Sequence, residues 1–260
     1  MTASRRWGLV VLEWAVPVVL IALWWVLSAH STSPYFLPLT DILNGFVQTW
    51  KGSNLTTDLL PSVLHFLVGF AIALLAGISI GLLLGLSSRA RRDLSPLTEF
   101  ARALPIAALV PVGLVILGPG ATMETALIAF GSVWPILVAS TDGVRGVDPV
   151  LLDTARAYGL SERQRIRMII LPAALPQIAA GARIGLGIGI ATMVIANIFG
   201  ATSGLGYFVI QAQQTFDVRG TWAGLLMIGL IGVIANGLFL IVQHRLLAWH
   251  RGWRGSTEGS

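Results

Sequence analysis

Apolar residues in this chain come in long runs, and the charged ones are squeezed into short intervals between them. The longest stretches without Asp, Glu, Lys or Arg are residues 14–40, 59–88, 103–123, 125–141, 184–216 and 220–244. About 20 mostly apolar residues make a helix long enough to cross the hydrocarbon of a bilayer. Backbone polar groups in lipid must be satisfied within the segment itself, so helix is the form such runs take. The pattern predicts six membrane helices near 12–30, 59–86, 102–118, 122–141, 174–198 and 221–248. The glycines of GPGAT, Gly118 to Thr122, divide one long run into the third and fourth of them. The expected fold class is therefore all-α: a polytopic membrane protein with six transmembrane helices, forming a single domain over residues 1–260.

Composition points the same way. Charged residues make up 11% of the chain, against about 25% in an ordinary soluble domain, and the mean hydropathy is +0.80. The net charge of +5 would fit an anionic partner if the basic residues shared one face. They fall instead in clusters between apolar runs, which marks topology rather than nucleic-acid binding. With the N-terminus inside, fifteen of the 17 basic residues lie on the cytoplasmic side, and only Lys51 and Arg219 lie outside. By the positive-inside rule both termini are cytoplasmic. Trp7, Trp14, Trp50, Trp222, Trp249 and Trp253 fall near the expected interfaces. The first run, flanked by Arg5 and Arg6, lacks a clear small-residue cleavage site and reads as a retained helix. The absence of cysteine excludes disulfides, thiolate zinc sites and cysteine nucleophiles.

One interval is unusually polar. Nine of the chain's 29 charged residues lie between Asp142 and Arg167, in the cytoplasmic loop before the fifth span. Asp148-Pro149 suits a helix start, with Asp as N-cap and Pro in the first turn. Gly159 suits the left-handed position that ends a helix. Ser161 and Gln164 have the spacing of a capping box, and Pro172 would open the next span. The interval reads as a short helix, a glycine elbow and a second short helix. Leu151, Leu152, Ala155, Tyr158 and Ile166 are expected to pack inward, with Arg156, Arg163, Arg165 and Arg167 outward. A solvated topology loop would serve with less structure than this; a docking surface would require it.

Within the spans, Gly77, Gly81 and Gly85 recur every four residues, as do Gly181, Gly185 and Gly189. Such stripes let helices approach closely, either as static packing or along a moving interface. Polar residues in lipid are costly and mark candidate functional positions. His65 and Glu124 lie near outer ends of spans, and Arg183 lies two turns into the fifth, within reach of the interface by snorkelling. Thr192 and Asn197 in the fifth span, with Asn236 in the sixth, are candidates to line a translocation pathway; an interhelical hydrogen bond is the alternative.

The polar loop resembles the EAA motif of binding-protein-dependent ABC transporter permeases. Asp153, Thr154 and Ala155 stand at its acidic-Ala-Ala positions, Gly159 follows at the motif's distance, and Ile169, Leu171 and Pro172 close it. Asp for Glu and Thr for Ala are mild departures. The segments ARALPIAALVPVGLVILG (101–118), 155–187 and GATSGLGYFV (200–209) are similar to the nitrate/sulfonate/taurine branch of that family. The resemblance implies a type I ABC importer permease fold, assembled as a homodimer. Two cytoplasmic ATPase subunits would dock on the loop 142–172, and an extracytoplasmic binding protein would deliver substrate. Asp153, Thr154, Ala155, Arg156, Gly159, Ser161, Glu162, Arg163, Ile169, Leu171 and Pro172 would form the coupling element. The family commonly carries a glutamate where this chain has Asn197, which leaves vitamin precursors and other small organic solutes open beside sulfonates, taurine and nitrate.

No GxxxxGK[ST] loop exists, since the only lysine, Lys51, is followed by Gly52. The chain is expected to bind no cofactor; ATP with Mg²⁺ would sit on the partner ATPase in the inner-membrane complex. A self-sufficient secondary transporter or channel would want a membrane-embedded ion-binding cluster, and an integral membrane enzyme would want a catalytic constellation. Neither stands out in the spans.

Overall fold

A computed structural model describes residues 3–33 and 35–248, with side chains from Ala15 onward. Arg5, Arg6, Trp7 and Trp14 as side chains, and Trp249, Arg251, Trp253 and Arg254, lie outside the described residues. The described residues form helices joined by short loops. In chain order they are α1 (Ala3–Ser28), α2 (Leu39–Trp50), α3 (Leu60–Leu86), α4 (Ser88–Ala103), α5 (Ile106–Leu117), α6 (Ala121–Arg145), α7 (Pro149–Ala157), α8 (Glu162–Arg165), α9 (Leu171–Gly200), α10 (Leu205–Gln214) and α11 (Val218–Leu246). A π-helical turn, Leu55–Leu59, leads into α3, and another, Ile166–Ile170, joins α8 to α9.

Helix α6 is the centre of the bundle, held between α3 and α9. Both glycine stripes face it. A Cβ on Gly77 would come 2.8 Å from Ile136 Cγ2, one on Gly81 2.8 Å from the carbonyl oxygen of Leu137, and one on Gly185 2.8 Å from that of Ser132. The stripes are thus packing seams within one chain. Phe66 and Phe70 from α3, Ile128 and Ile136 from α6, and Met193 from α9 fill the space between the seams. Because a backbone carbonyl cannot swing aside like a side chain, Gly81→Leu is expected to cost at least the 1–3 kcal/mol typical of overpacking. A lowered thermal midpoint of the detergent-solubilised protein would register it; an unchanged midpoint would mean the seam is looser than drawn.

Among the described residues, four helical segments have the length and apolarity of membrane spans: Leu55–Leu86, Ala121–Arg145, Glu162–Gly200 and Val218–Leu246. A fifth arises if α4 and α5, bent by 95° at Leu104-Pro105, count as one broken span. The helix expected over 102–118 therefore begins only at Ile106. Its 12 residues reach about 18 Å at 1.5 Å per residue, less than the ~30 Å hydrocarbon core. The residue before a proline is pushed out of the helical region, and Leu104 has ψ 123°. The fifth expected span, 174–198, is longer than its apolar run. It continues from Glu162 to Gly200 without a break: the π turn Ile166–Ile170 precedes Pro172 and joins α8 to α9.

Besides α4, two short helices, α2 and α10, lie outside the expected set. Helix α2 packs on α11 through Trp50, whose indole N–H donates to the carbonyl of Ala223 at 3.1 Å and whose ring meets Phe208 at 5.3 Å. Trp50 is thus a core residue rather than an interfacial anchor, only 5% exposed. Helix α10 follows Gly204 and packs between α9 and α11. Trp222 meets Trp24 with ring centroids 5.5 Å apart and planes tilted by 44°, a contact between α1 and α11.

Candidate functional site

The polar interval folds as its capping residues dictate. Asp148 accepts from the Val150 N–H at 2.8 Å and starts α7. At the far end, Leu160 N–H donates to the Ala155 carbonyl (3.1 Å) and Gly159 N–H to that of Arg156 (2.9 Å). This pair of bonds is the Schellman arrangement, and it requires a left-handed residue, which Gly159 supplies at φ +71°. Ser161 and Gln164 then cap α8 reciprocally: Gln164 N–H donates to Ser161 Oγ, and Ser161 N–H to Gln164 Oε1 at 2.9 Å. The elbow therefore has both its helix ends hydrogen-bonded.

One face of this elbow is anchored. Ala155 is buried, and Leu152 and Ile166 pack on Val144, Val147 and Ile170. Ile169 and Leu171 join the same cluster. The other face is open and partly apolar: Val150, Tyr158 and Met168 are 68%, 81% and 64% exposed. The inward packing expected of Tyr158 and Leu151 does not occur, since the elbow turns both residues outward. Asp153 and Arg156 pair on the exposed surface at 2.7 Å, and Thr154 Oγ1 donates back to the Val150 carbonyl. Glu162 and Arg163 lie exposed on α8, and Pro172 is half-buried at the base of α9.

The intramembrane candidates divide differently from the expectation. Thr192 is buried and donates to the carbonyl of Ile188 at 2.8 Å; Asn197 is fully buried. Neither side chain faces open space in this structure. Asn236 Oδ1 accepts from Arg183 Nε at 3.1 Å. Arg183 lies nine residues before Thr192 on α9, about 13 Å along the axis, so the three candidates do not form one group.

Asn197 belongs to a node that sequence reading missed. Its Nδ2 donates to Glu124 Oε2 at 2.7 Å, and its Oδ1 accepts from Ser62 Oγ at 2.8 Å. Ser62 Oγ in turn accepts from the Leu205 N–H, and Asp58 Oδ1 accepts from the Gly204 N–H at 3.0 Å. His65 Nδ1 meets the same Glu124 oxygen at 2.8 Å. Glu124 is only 3% exposed, so this carboxylate is held by groups from two other helices. The node ties α3, α6, α9 and the start of α10 together at one end of the bundle. The sequence offers His65 and Glu124 beside apolar runs and Asn197 as a candidate for an interhelical hydrogen bond, but the partners are separated by 59 to 146 residues.

A capped elbow with one anchored and one open face, carried on the end of a helical bundle, suits force transmission to a separate chain. Residues 73–248 match the family described as binding-protein-dependent transport system inner membrane component. The chain belongs to that family. It is thus the permease component of a binding-protein-dependent ABC importer, a multi-pass protein of the inner membrane. ATP hydrolysis resides on partner ATPase subunits, and the permease itself carries no cofactor.

Among relatives, the permease is 31% identical over 243 residues to the putative aliphatic sulfonates transport permease protein SsuC of Bacillus subtilis, covering 92% of this chain and 88% of that one. It is 33% identical over 255 residues to the taurine transport system permease protein TauC of Escherichia coli, covering 94% and 93%. In fold it is similar to a chain of the inward-facing MetNI methionine ABC transporter, with TM-score 0.62 and 20% identity over 74% of this chain and 93% of that one.

Proposed function

We propose that this permease imports a small organic sulfonate or taurine-like solute, as one half of a homodimer that alternates between inward- and outward-facing states. The names of its sulfonate and taurine relatives, each matched over about nine-tenths of the chain, support that substrate class. Both termini and the loop 142–172 face the cytoplasm, the broken α4–α5 pair and α1 complete a six-span domain over residues 1–260, and a binding protein delivers substrate outside. One ATPase subunit docks on each elbow, with Asp153, Thr154, Ala155, Arg156, Gly159, Ser161, Glu162 and Arg163 forming the coupling element. Ile169, Leu171 and Pro172 pass its motion into α9.

The observation that carries this reading is the open apolar face of the elbow. Tyr158 is 81% exposed on a segment whose backbone is fully capped, so it is displayed rather than loose. Aromatic residues of this kind dominate interface energetics. Tyr158→Asp alters a side chain that is mostly exposed, and it is expected to weaken ATPase association about 10–100-fold, the scale of an aromatic hot spot. Co-purification of ATPase from native membranes measures it. Undiminished ATPase recovery would count against docking at this face.

A further inference from the structure

Behind the docking elbow lies a cavity of about 430 Å³, walled by the last turn of α3 (Gly85, Leu86), the start of α4, the end of α6 and the inner side of α7–α8. Four arginines line it, Arg91, Arg145, Arg156 and Arg165, against a single carboxylate, Glu162. Arg145 and Arg156 have surface partners in Asp142 and Asp153. Arg91 and Arg165 have no carboxylate within ion-pairing distance among the described residues. Arg91 Nη1 donates to the Leu84 carbonyl at 3.1 Å, which restrains a side chain that lines the cavity. The Nε of Arg165 is buried and has no hydrogen-bond partner.

A buried guanidinium N–H without an acceptor is costly. Two forks of parallel N–H groups on one cavity match the oxygens of a phosphate better than any single carboxylate does. The cavity also sits where the apolar run of α3 gives way to Arg89, Arg91 and Arg92, the pattern that marks the cytoplasmic end of a span. Basic pockets between helices at that level take anionic lipid headgroups.

We infer that this cavity binds the phosphate of an anionic phospholipid, held chiefly by Arg91 and Arg165. The inference rests on the cytoplasmic placement of the elbow proposed above. Since α7 and α8 form one wall, the bound headgroup props the coupling element against α3 and α4.

The test uses the assembled transporter in nanodiscs of phosphatidylcholine with or without phosphatidylglycerol, followed by native mass spectrometry of retained lipid. The wild-type complex is expected to retain one phosphatidylglycerol per permease chain in preference to phosphatidylcholine. Arg91→Gln/Arg165→Gln is expected to lower that retention at least tenfold, and Arg91→Lys/Arg165→Lys to keep part of it. A second arm adds inorganic phosphate to phosphatidylcholine nanodiscs. Phosphate binding there without phosphatidylglycerol retention in the first arm would overturn the lipid assignment in favour of a soluble anion. Equal retention by wild type and the Gln variant would overturn the site. Retention by the permease alone but not by the complex would show the ATPase filling the cavity, and would also overturn it. ATPase recovery is read from the same spectra, so a failure of docking and a failure of lipid binding are told apart.

Discussion

Replacing Gly159 with valine is expected to reduce coupled uptake to near background while the permease still inserts and folds. Gly159 holds φ +71°, a conformation that L-residues pay about 1–2 kcal/mol to enter and that β-branched residues essentially avoid. The valine variant can escape the strain only by giving up the left-handed turn. That releases the bonds from Leu160 to Ala155 and from Gly159 to Arg156, and α7 and α8 lose their fixed angle. No atom lies within 4 Å of a Cβ built at this position, so the defect is conformational rather than steric and stays local to the elbow. Gly159→Asn separates the two causes, because asparagine visits the left-handed region routinely. It is expected to retain most uptake, measured with radiolabelled substrate and the cognate binding protein. Equal loss in both variants would show that side-chain bulk matters at position 159, and the elbow argument would fall.

The second large effect concerns the buried node. Asn197→Asp is expected to destabilise the permease by about 3 kcal/mol or more, because it sets a second carboxylate against Glu124 where a donor stood 2.7 Å away. At roughly 2–4 °C per kcal/mol for a chain of this size, the thermal midpoint in detergent falls by about 10 °C. Glu124→Gln added to Asn197→Asp restores the pair with donor and acceptor exchanged between α6 and α9, and most of the stability returns. His65 then faces an amide, so recovery is expected to be incomplete. Strictly additive losses in the double variant would mean that the two side chains do not interact, since contacting pairs show non-additivity of about 0.5–3 kcal/mol.

These two sites differ in how far the sequence announces them. The elbow is written in local signals: Asp148-Pro149, Gly159 and the Ser161/Gln164 pair all act within four residues of their targets, and each forms the cap its type suggests. Long apolar runs announce α3, α6, α9 and α11 for an equally local reason, the length needed to cross a bilayer. What lies beyond local reach was misread. Leu104-Pro105 sits inside an apolar run that looks continuous, yet the proline turns the chain through 95°. The continuity of α8 with α9 depends on a π turn that no periodicity marks. Tyr158 looked like an inward residue because its spacing from Ala155 places both on one helical face, but it is the C-cap, where the helix has already ended. For Asn197 the sequence leaves a pathway position and an interhelical hydrogen bond open; the structure shows that bond, to Ser62 and Glu124, whose positions 135 and 73 residues away no local pattern marks. The glycine stripes were legible as seams but not as to what they meet; the structure turns both toward α6.

We propose that the elbow between α7 and α8 is where a separate ATPase grips this permease. The chain contains no cysteine, so Tyr158→Cys provides a single thiol on a clean background. The most direct measurement is site-specific cross-linking of that variant in native membranes, with the product identified by mass spectrometry. A cross-link to an ABC ATPase is expected, with protection of the thiol from a water-soluble maleimide while the ATPase is bound. A thiol that reacts fully with the maleimide in the intact complex, and yields no ATPase adduct, would contradict it.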